Sequence, residues 1–278
     1  MPITIKKALK SMPKLNNPVL IEGMPGIGNV GKIVADFLID ELDAKKLFEI
    51  RSSSFPHSVF VNEDSLVEVP TVSVYYKRMS GGNARGGSSK GKGKTGSKRD
   101  LLILAGDVQP LDEESSYEFA YRMLDLMKEL DCKELITLGG IGLQEVPEEP
   151  KVYCTGNEKR FVKRFSKDHG VETEVYGVVG PIIGVTGLLV GLAKEKNIDA
   201  VCLLAETHNH PLYVGMKGSQ KILEILNKRF SMGVNMKEFG KEIEEVEKEM
   251  LKRTSELASA SKQAKMDKLN KGEASYIG

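Results

Sequence analysis

The sequence alternates short, wholly apolar runs with longer amphipathic ones, and this alternation restricts the fold more than any other feature. Residues 101–105 and 200–205 are apolar at every position. A strand that is apolar on both faces has to be covered on both sides, which is typical of a mostly parallel sheet with a helical layer on each face. The sequence therefore predicts an α/β protein, a three-layer α/β/α sandwich.

Strand-length and helix-length runs follow each other along most of the chain. The predicted strands are residues 19–21, 48–50, 71–75, 101–105, 135–138, 151–154, 174–176 and 200–205. The predicted helices are residues 30–42, 113–130, 158–168, 185–196 and 215–230. With 278 residues and 40% apolar content, the chain is long enough for one large domain and an extension.

A glycine- and lysine-rich segment at about 79–99 interrupts the pattern. It has almost no apolar side chains, so burial cannot offset the entropy lost on ordering, and we expect a disordered insertion. Strand-like runs flank it on both sides, which indicates a long hairpin loop and not a linker between domains. The Gly-Lys-Thr at 93–95 resembles the end of a phosphate-binding P-loop, but Ser88 stands where that motif needs its first glycine.

The last segment of the chain has a different pattern. From Phe239 to Ala264, mostly apolar residues recur at alternating steps of four and three, with glutamate and lysine on the other faces. This pattern is the seam of a coiled coil, and so narrow a stripe requires a partner surface on the same chain or on another copy. Self-association is the interpretation we favour. We expect an α/β body over 1–234 and a helical extension with a flexible tail over 235–278.

The charge and the terminal sequence narrow the possible partners. Lysine and arginine number 40 against 39 aspartate and glutamate, so the formal charge is +1 and no overall field favours nucleic acid or an anionic membrane. No window approaches the roughly 18 apolar residues of a membrane span, and the N-terminus lacks the apolar stretch of a signal peptide. We expect a cytoplasmic protein without a membrane or nucleic-acid partner.

The segment Gly26-Ile-Gly28-Asn-Val-Gly31 matches the G-x-G-x-x-G fingerprint of dinucleotide-binding turns, with a strand before it and a helix after it. Glu49 ends the next strand-like run, near the distance expected of a ribose-binding acid. However, the Met-Pro pair before the motif lengthens and stiffens the connection. The glycines would equally serve a tight turn and a close approach of the helix to the sheet, which is the interpretation we favour. A second glycine-rich turn occurs at 177–187. It indicates that glycines allow a helix to approach the sheet closely at two places.

Other residues have the side chains of chemical sites but no complete arrangement. Glu206, His208 and His210 follow a buried strand and have metal-ligand chemistry, yet no further ligand is identifiable, so no metal is predicted. The carboxylates at 107 and 112–114 are typical of charge at a helix N-terminus. His57 and His169 are predicted to be structural or exposed, and the cysteines are predicted to be core thiols: Cys132, Cys154 and Cys202.

Six blocks, taken together and in this order, resemble the proteasome assembly chaperone family, and they cover roughly residues 15 to 230. They read PVLIEGMPGIGNVG from residue 18, LLILAGDVQP from 101, TLGGIG from 137, VYCTGN from 152, GPIIGVTGLL from 180 and CLLAET from 202. Within that family, the chain is most similar to archaeal homologues of the B type, which carry a C-terminal proteasome-binding tail.

The resemblance implies a fold like that of the nucleoside phosphorylase and hydrolase class, without an enzyme site or a cofactor. It implies an ATP-independent chaperone that binds proteasome α subunits, promotes assembly of the α ring and forms a homo-oligomer, for which a tetramer is favoured. It also points to Tyr276, Ile277 and Gly278 as partner-binding residues. Here Tyr276 is third from the end instead of penultimate, and Ser275 replaces the hydrophobic residue of the usual tail.

Two other function classes stay open at this point. One is an enzyme that uses the Gly26-Gly28-Gly31 turn, either a nicotinamide-dependent oxidoreductase or a nucleoside-type hydrolase. The other is a scaffold held together by its coiled coil, without contact to the proteasome.

Overall fold

The computed structural model describes residues 3–61, 64–79, 99–167, 170–177, 179–237 and 239–241. The strands in these ranges are β1 (Thr4–Lys7), β2 (Val19–Gly23), β3 (Lys45–Arg51), β4 (Phe60–Val61), β5 (Val67–Glu68), β6 (Val72–Lys77), β7 (Leu101–Gly106), β8 (Glu134–Leu143), β9 (Val152–Gly156) and β10 (Asp199–His208). Eight of them form one sheet in the order β1-β3-β6-β7-β2-β8-β10-β9, and β4 pairs with β5 as a separate small hairpin.

Helices cover both faces of the large sheet. They are α1 (Val30–Glu41), α2 (Glu113–Glu129), α3 (Lys159–Ser166), α4 (Val185–Ala193) and α5 (Met216–Phe230). The helices α1, α3 and α5 belong to one apolar layer, and α2 and α4 belong to the layer on the opposite face. This arrangement confirms the predicted α/β/α sandwich. Among the described helices, none is long and apolar enough to cross a membrane.

The central strands are wholly apolar because both of their faces are buried. In β2, Val19 and Ile21 contact the layer of α1, and Leu20 contacts the layer of α2 and α4. Fully burying one such side chain contributes about 1.5–3 kcal/mol. A strand of this composition is therefore stable only in the middle of the sandwich.

The sheet is mixed in its strand directions. The central strands β7, β2, β8 and β10 run parallel. The outer pairings β6–β7, β3–β6, β1–β3 and β9–β10 are antiparallel. Because β3 is antiparallel to β6, it points the same way as the central strands, so most strands share one direction, as predicted. The carboxyl ends of β2, β3, β7, β8 and β10 consequently meet at one edge of the sheet, which we call the carboxyl edge; their amino ends form the amino edge.

Two local expectations differ from the structure. Residues 174–176, which were predicted to be a strand, lie in a loop, and an isolated parallel bridge joins Tyr153 to the nearby Glu172. The predicted run is short and Gly177 follows it with a φ of 79°, which is incompatible with continued extended pairing. In addition, β1 and the hairpin β4–β5 were not predicted, because their side chains are largely exposed and give no apolar pattern.

The glycine-rich insertion connects two strands that pair with each other. Lys77 of β6 lies opposite Leu101 of β7 in antiparallel register, which confirms the predicted hairpin. Arg99, at the end of the insertion, forms an ion pair with Glu134 at the start of β8. Residues 80–98, with the Gly-Lys-Thr at 93–95, lie outside the described residues.

The C-terminal extension starts on the body of its own chain. Phe239 is fully buried, and its ring centroid lies 4.6 Å from that of Phe37 on α1 with an interplanar angle of 61°. Phe239 is the first residue of the predicted coiled-coil seam, so the surface that it contacts belongs to the same chain. The rest of the seam, from Ile243 onward, lies outside the described residues.

Candidate functional site

The first glycine turn connects β2 to α1 at the carboxyl edge. Gly28 has a φ of 61°, and a Cβ atom there would lie 2.6 Å from Oγ1 of Thr207 on β10. A Cβ atom on Gly31 would lie 2.4 Å from the backbone oxygen of Leu138 on β8, whereas one on Gly26 would have open space around it. Two of the three motif glycines therefore allow the turn and the helix to approach the sheet, as the sequence indicated.

The strand order does not provide the usual layout of a dinucleotide site. In a Rossmann fold, the strand after the glycine-turn helix lies beside the first strand, so that its terminal acid reaches the ribose. Here β7 and β6 lie between β2 and β3. Glu49 on β3 is thus distant from the turn, and its Oε1 accepts a hydrogen bond from Nε of Arg51 at 2.7 Å.

The second glycine turn precedes α4, and one side chain links it to the first turn. Gly184 has a φ of 88°, and a Cβ atom there would lie 2.7 Å from Oε1 of Gln109, which follows β7. The same oxygen accepts a hydrogen bond from the N–H of Val185 at 3.0 Å. The Nε2 of Gln109 donates to the carbonyl of Pro25 in the first turn. Gln109 thereby fixes the two glycine turns relative to each other.

A cavity of about 490 Å³ lies between these turns. Its apolar lining comes from both turns and from β8 and β10: Met24, Ile27, Leu138, Ile141, Ile182, Ile183 and Leu204. The cavity lies at the carboxyl ends of β2 and β8, where the sheet connections switch from one side of β2 to the other. Open α/β sheets hold ligands at such a switch point, and the volume is within the range of small-molecule sites.

Glu22 of β2 lies next to the cavity wall and is fully buried. Its Oε1 accepts hydrogen bonds from the hydroxyl of Thr186 and from the N–H of Met24, both at 3.1 Å, and both of these residues line the cavity. The Oε2 atom has no hydrogen-bond partner among the described residues. Burial raises the pKa of Glu22 to about 8, so the carboxyl group is mostly protonated at neutral pH.

Residues 20–253 match the sequence model of the PAC2 family. This span is most of the chain and includes both glycine turns, Glu22 and Gln109. The chain belongs to the PAC2 family. The residues of the carboxyl-edge arrangement of this PAC2 protein therefore lie within the part of the chain that the family model matches.

Three archaeal proteins are similar to this PAC2 chain along most of its length. PbaB of Pyrococcus furiosus, described as an archaeal proteasome activator, is 30% identical, and its crystal structure gives a TM-score of 0.76 over 91% of this chain and 98% of that one. PbaA of the same organism, described as an archaeal homologue of proteasome-assembly chaperone, is 23% identical with a TM-score of 0.69 over 100% of both chains, a likeness of fold. The uncharacterized protein MJ1210 of Methanocaldococcus jannaschii is 28% identical over 258 residues, 89% of this chain and 91% of that protein.

The carboxylate and histidines at the end of β10 and just after it have local structural roles in this PAC2 protein. Glu206 accepts a hydrogen bond from the hydroxyl of Tyr153 at 3.1 Å. The rings of His208 and His210 stack with centroids 5.8 Å apart. In the part of the chain that the structure describes, no group of three His, Cys, Asp or Glu side chains is arranged to hold a metal ion.

Other candidates from the sequence also have structural roles. Asp112 caps α2: its Oδ1 accepts a hydrogen bond from the N–H of Ser115 at 2.8 Å, which lowers the pKa of the carboxyl group. This geometry confirms the predicted N-terminal charge. The three thiols are buried as predicted, and burial raises the pKa of each to about 12: Cys132, Cys154 and Cys202.

Sequence reasoning missed both Glu22 and Gln109. Glu22 carried a usable signal, because a carboxylate inside an otherwise apolar, centrally placed strand has to be buried. Gln109 gave no such signal, since its role depends on two turns that are distant in sequence. The predicted partner-binding residues Tyr276, Ile277 and Gly278 lie outside the described residues, as does His169, and their roles stay predictions.

Proposed function

We propose that this PAC2 protein is an ATP-independent proteasome assembly chaperone that binds proteasome α subunits, acts in the cytoplasm and is not an enzyme. The observation that carries the proposal is the likeness of the whole body to PbaB, at 30% identity over 91% of the chain. The descriptions of PbaB and PbaA both concern the proteasome. The proposed partner, the proteasome α subunit, is inferred from these relatives. The fold of the chain is compatible with this role.

In this proposal, the two parts of the chain have different roles. The body over 1–234 builds a homo-oligomer, for which we favour a tetramer, and the extension over 235–278 carries a tail that docks on the α ring through Tyr276, Ile277 and Gly278. Phe239 supports this division, because its burial against Phe37 fixes the start of the extension to α1. Several tails on one oligomer would raise the effective concentration at a symmetric ring.

The test is to mix the purified chain with proteasome α subunits from the same organism. We expect complex formation and faster appearance of α rings by native mass spectrometry. Removing residues 276–278 should weaken binding about tenfold, whereas Lys271→Ala, in the same segment, should leave it unchanged. Absence of any complex would contradict the chaperone proposal. Equal binding by the truncated chain would contradict only the role of the tail.

The cavity between the glycine turns favours one competing function, an enzyme acting on a small molecule through the Gly26-Gly28-Gly31 turn. Its position and volume suit a ligand, although the ribose-binding acid of a dinucleotide site is missing from the neighbourhood of the turn. Isothermal titration with nicotinamide cofactors and with nucleosides separates the two functions. Submicromolar binding, or turnover of either compound, would reverse the order of the two proposals.

A further inference from the structure

The exposed apolar side chains of this protein collect at the carboxyl edge. Fourteen large apolar side chains are strongly exposed in the described part of the chain, and ten of them lie in the loops that follow β2, β3, β7, β8 and β10. These ten are Ile27, Val59, Phe60, Val61, Leu66, Val67, Val69, Leu111, Val146 and Leu212. We call this surface the carboxyl-edge face. Single exposed apolar residues are ordinary, but contiguous apolar patches mark interaction sites, and six of the ten belong to the one loop between β3 and β6.

The hairpin β4–β5 is the most apolar part of this face. Val61 and Val67 lie opposite each other in the hairpin and are 69% and 68% exposed. Each strand has only two residues, and neither belongs to the large sheet. A two-stranded hairpin is marginally stable alone in water, so covering it with another protein would stabilise it as well as bury its valines.

The same loops are acidic, which limits what can cover them. Their described residues include seven carboxylates and a single lysine or arginine, Lys151. The carboxylates are Asp64, Glu68, Asp107, Asp112, Glu145, Glu148 and Glu149. Lys32 of α1 lies 3.4 Å from Asp107 and offsets part of this charge. A second copy that presented the same face would bring like charges together, which is unfavourable.

We propose that the carboxyl-edge face is a docking surface for a protein partner whose contact surface is apolar and basic. Lysine or arginine around apolar side chains would complement the carboxylates while the valines of the hairpin are buried. The cavity between the glycine turns adds a recess near the same face, with Ile27 at its rim. A buried side chain in such a recess is typical of the residues that dominate binding energy.

The first experiment measures binding of purified α subunits to the full chain by biolayer interferometry; this choice of probe rests on the proposed function. Val61→Ser combined with Val67→Ser should weaken binding about tenfold. Tyr117→Ser on α2 is the matched control, because Tyr117 is 47% exposed but lies outside the face. Glu145→Lys combined with Glu148→Lys should slow association more at low salt than at high salt.

A second probe makes the test independent of the proteasome. An amphipathic peptide of leucine and lysine should bind the wild-type chain at least about tenfold more tightly than its leucine–glutamate counterpart, and the double valine variant should lose this preference. If the α subunits do not bind but this preference holds, the proposed function is wrong and the docking surface stands.

Three results would overturn the docking surface. The first is a double valine variant that binds both probes as the wild type does. The second is a peptide preference that is absent or reversed in the wild-type chain. The third is a double valine variant whose homo-oligomer dissociates in light scattering, because a second copy would then cover the face. Circular dichroism of each variant confirms that a loss of binding is not a loss of folding.

Discussion

The two edges of the sheet place a carboxylate in different surroundings. At the amino edge, Glu134 at the start of β8 forms ion pairs with Arg99 and, at 2.9 Å, with Arg164. At the carboxyl edge, Glu22 near the end of β2 is buried deeper and is held by the neutral hydroxyl of Thr186 and the N–H of Met24. Glu134 is paired with two guanidinium groups, whereas Glu22 is mostly protonated at neutral pH because burial raises its pKa to about 8.

This contrast distinguishes the edge that stabilises the fold from the edge that is available for contacts. The amino edge is closed by charged side chains from three elements, and Arg164 also lies 3.8 Å from Asp199 at the start of β10. The carboxyl edge has glycine turns, a cavity, an unsatisfied carboxyl oxygen and exposed valines. Such departures from the best packing are expected where a protein binds something, because rigid elements elsewhere support them.

We expect the strongest destabilisation from a side chain placed between α1 and β8 at the carboxyl edge, where the two elements are in close contact. Gly31→Val places side-chain atoms where even a Cβ would lie 2.4 Å from the backbone oxygen of Leu138. Backbone cannot yield as a flexible side chain does, so we expect a loss of about 4 kcal/mol in the free energy of unfolding. Urea denaturation followed by circular dichroism measures it.

The control lies in the same motif. Gly26 has an extended backbone with a φ of −165°, and nothing lies within 4 Å of a Cβ built there, so Gly26→Ala should change the free energy of unfolding by less than about 0.5 kcal/mol. If both substitutions had the same effect, the close approach of α1 to the sheet would not be what the third glycine provides.

Glu22 should make the free energy of unfolding depend on pH, with a somewhat smaller effect. The ordinary pKa of 4.5 applies to the unfolded chain, and the folded value is about 8. Between these values the folded protein keeps a proton that the unfolded chain has lost, so stability is fully present below about pH 4.5 and falls as pH rises toward 8. Glu22→Gln should remove up to about 3 kcal/mol of this decline between pH 5 and pH 8.

Urea denaturation at a series of pH values checks this prediction for Glu22. The exposed Glu145→Gln variant is the control and should retain the wild-type slope. A Glu22→Gln variant with an unchanged slope would show that the carboxyl group is ionised in the folded protein.

A smaller effect is expected at the amino edge. Glu134→Ala leaves Arg99 without its ion-pair partner at a site where both side chains are less than one-fifth exposed, with 18% for Arg99 and 17% for Glu134. We expect a loss of about 2 kcal/mol, because removing one member of a partly buried pair leaves the other charge uncompensated. Arg99→Met together with Glu134→Leu should recover part of that loss in thermal unfolding; a double variant as unstable as the single one would contradict this cause.

The sequence predicted the sandwich because burial on both faces requires consecutive apolar residues, which are visible in strands such as β7 and β10. It also predicted the structural use of the glycines, since a Met-Pro pair lengthens the connection before the fingerprint and a second glycine-rich turn occurs at 177–187. It did not predict the hairpin β4–β5, whose valines are exposed and follow no core periodicity. Nor did it predict the hydrogen bond from Thr186 to Glu22, which joins residues 164 positions apart, or the carboxyl-edge face, which exists only once the strand order brings five loops to one edge.

The hairpin β4–β5 should show the smallest effect on stability, although its valines have the largest proposed effect on binding. Val61 and Val67 bury little of their surface within the chain, so replacing both by serine removes few internal contacts and should change the free energy of unfolding, measured in urea, by less than about 0.5 kcal/mol per site. Buried Val74→Ser on β6, which loses a fully packed position, should cost several times more. If the hairpin variant were as unstable as Val74→Ser, the hairpin would be part of the core and not a surface kept for a partner. A loss of binding in a chain of unchanged stability, by contrast, assigns the exposed valines to recognition.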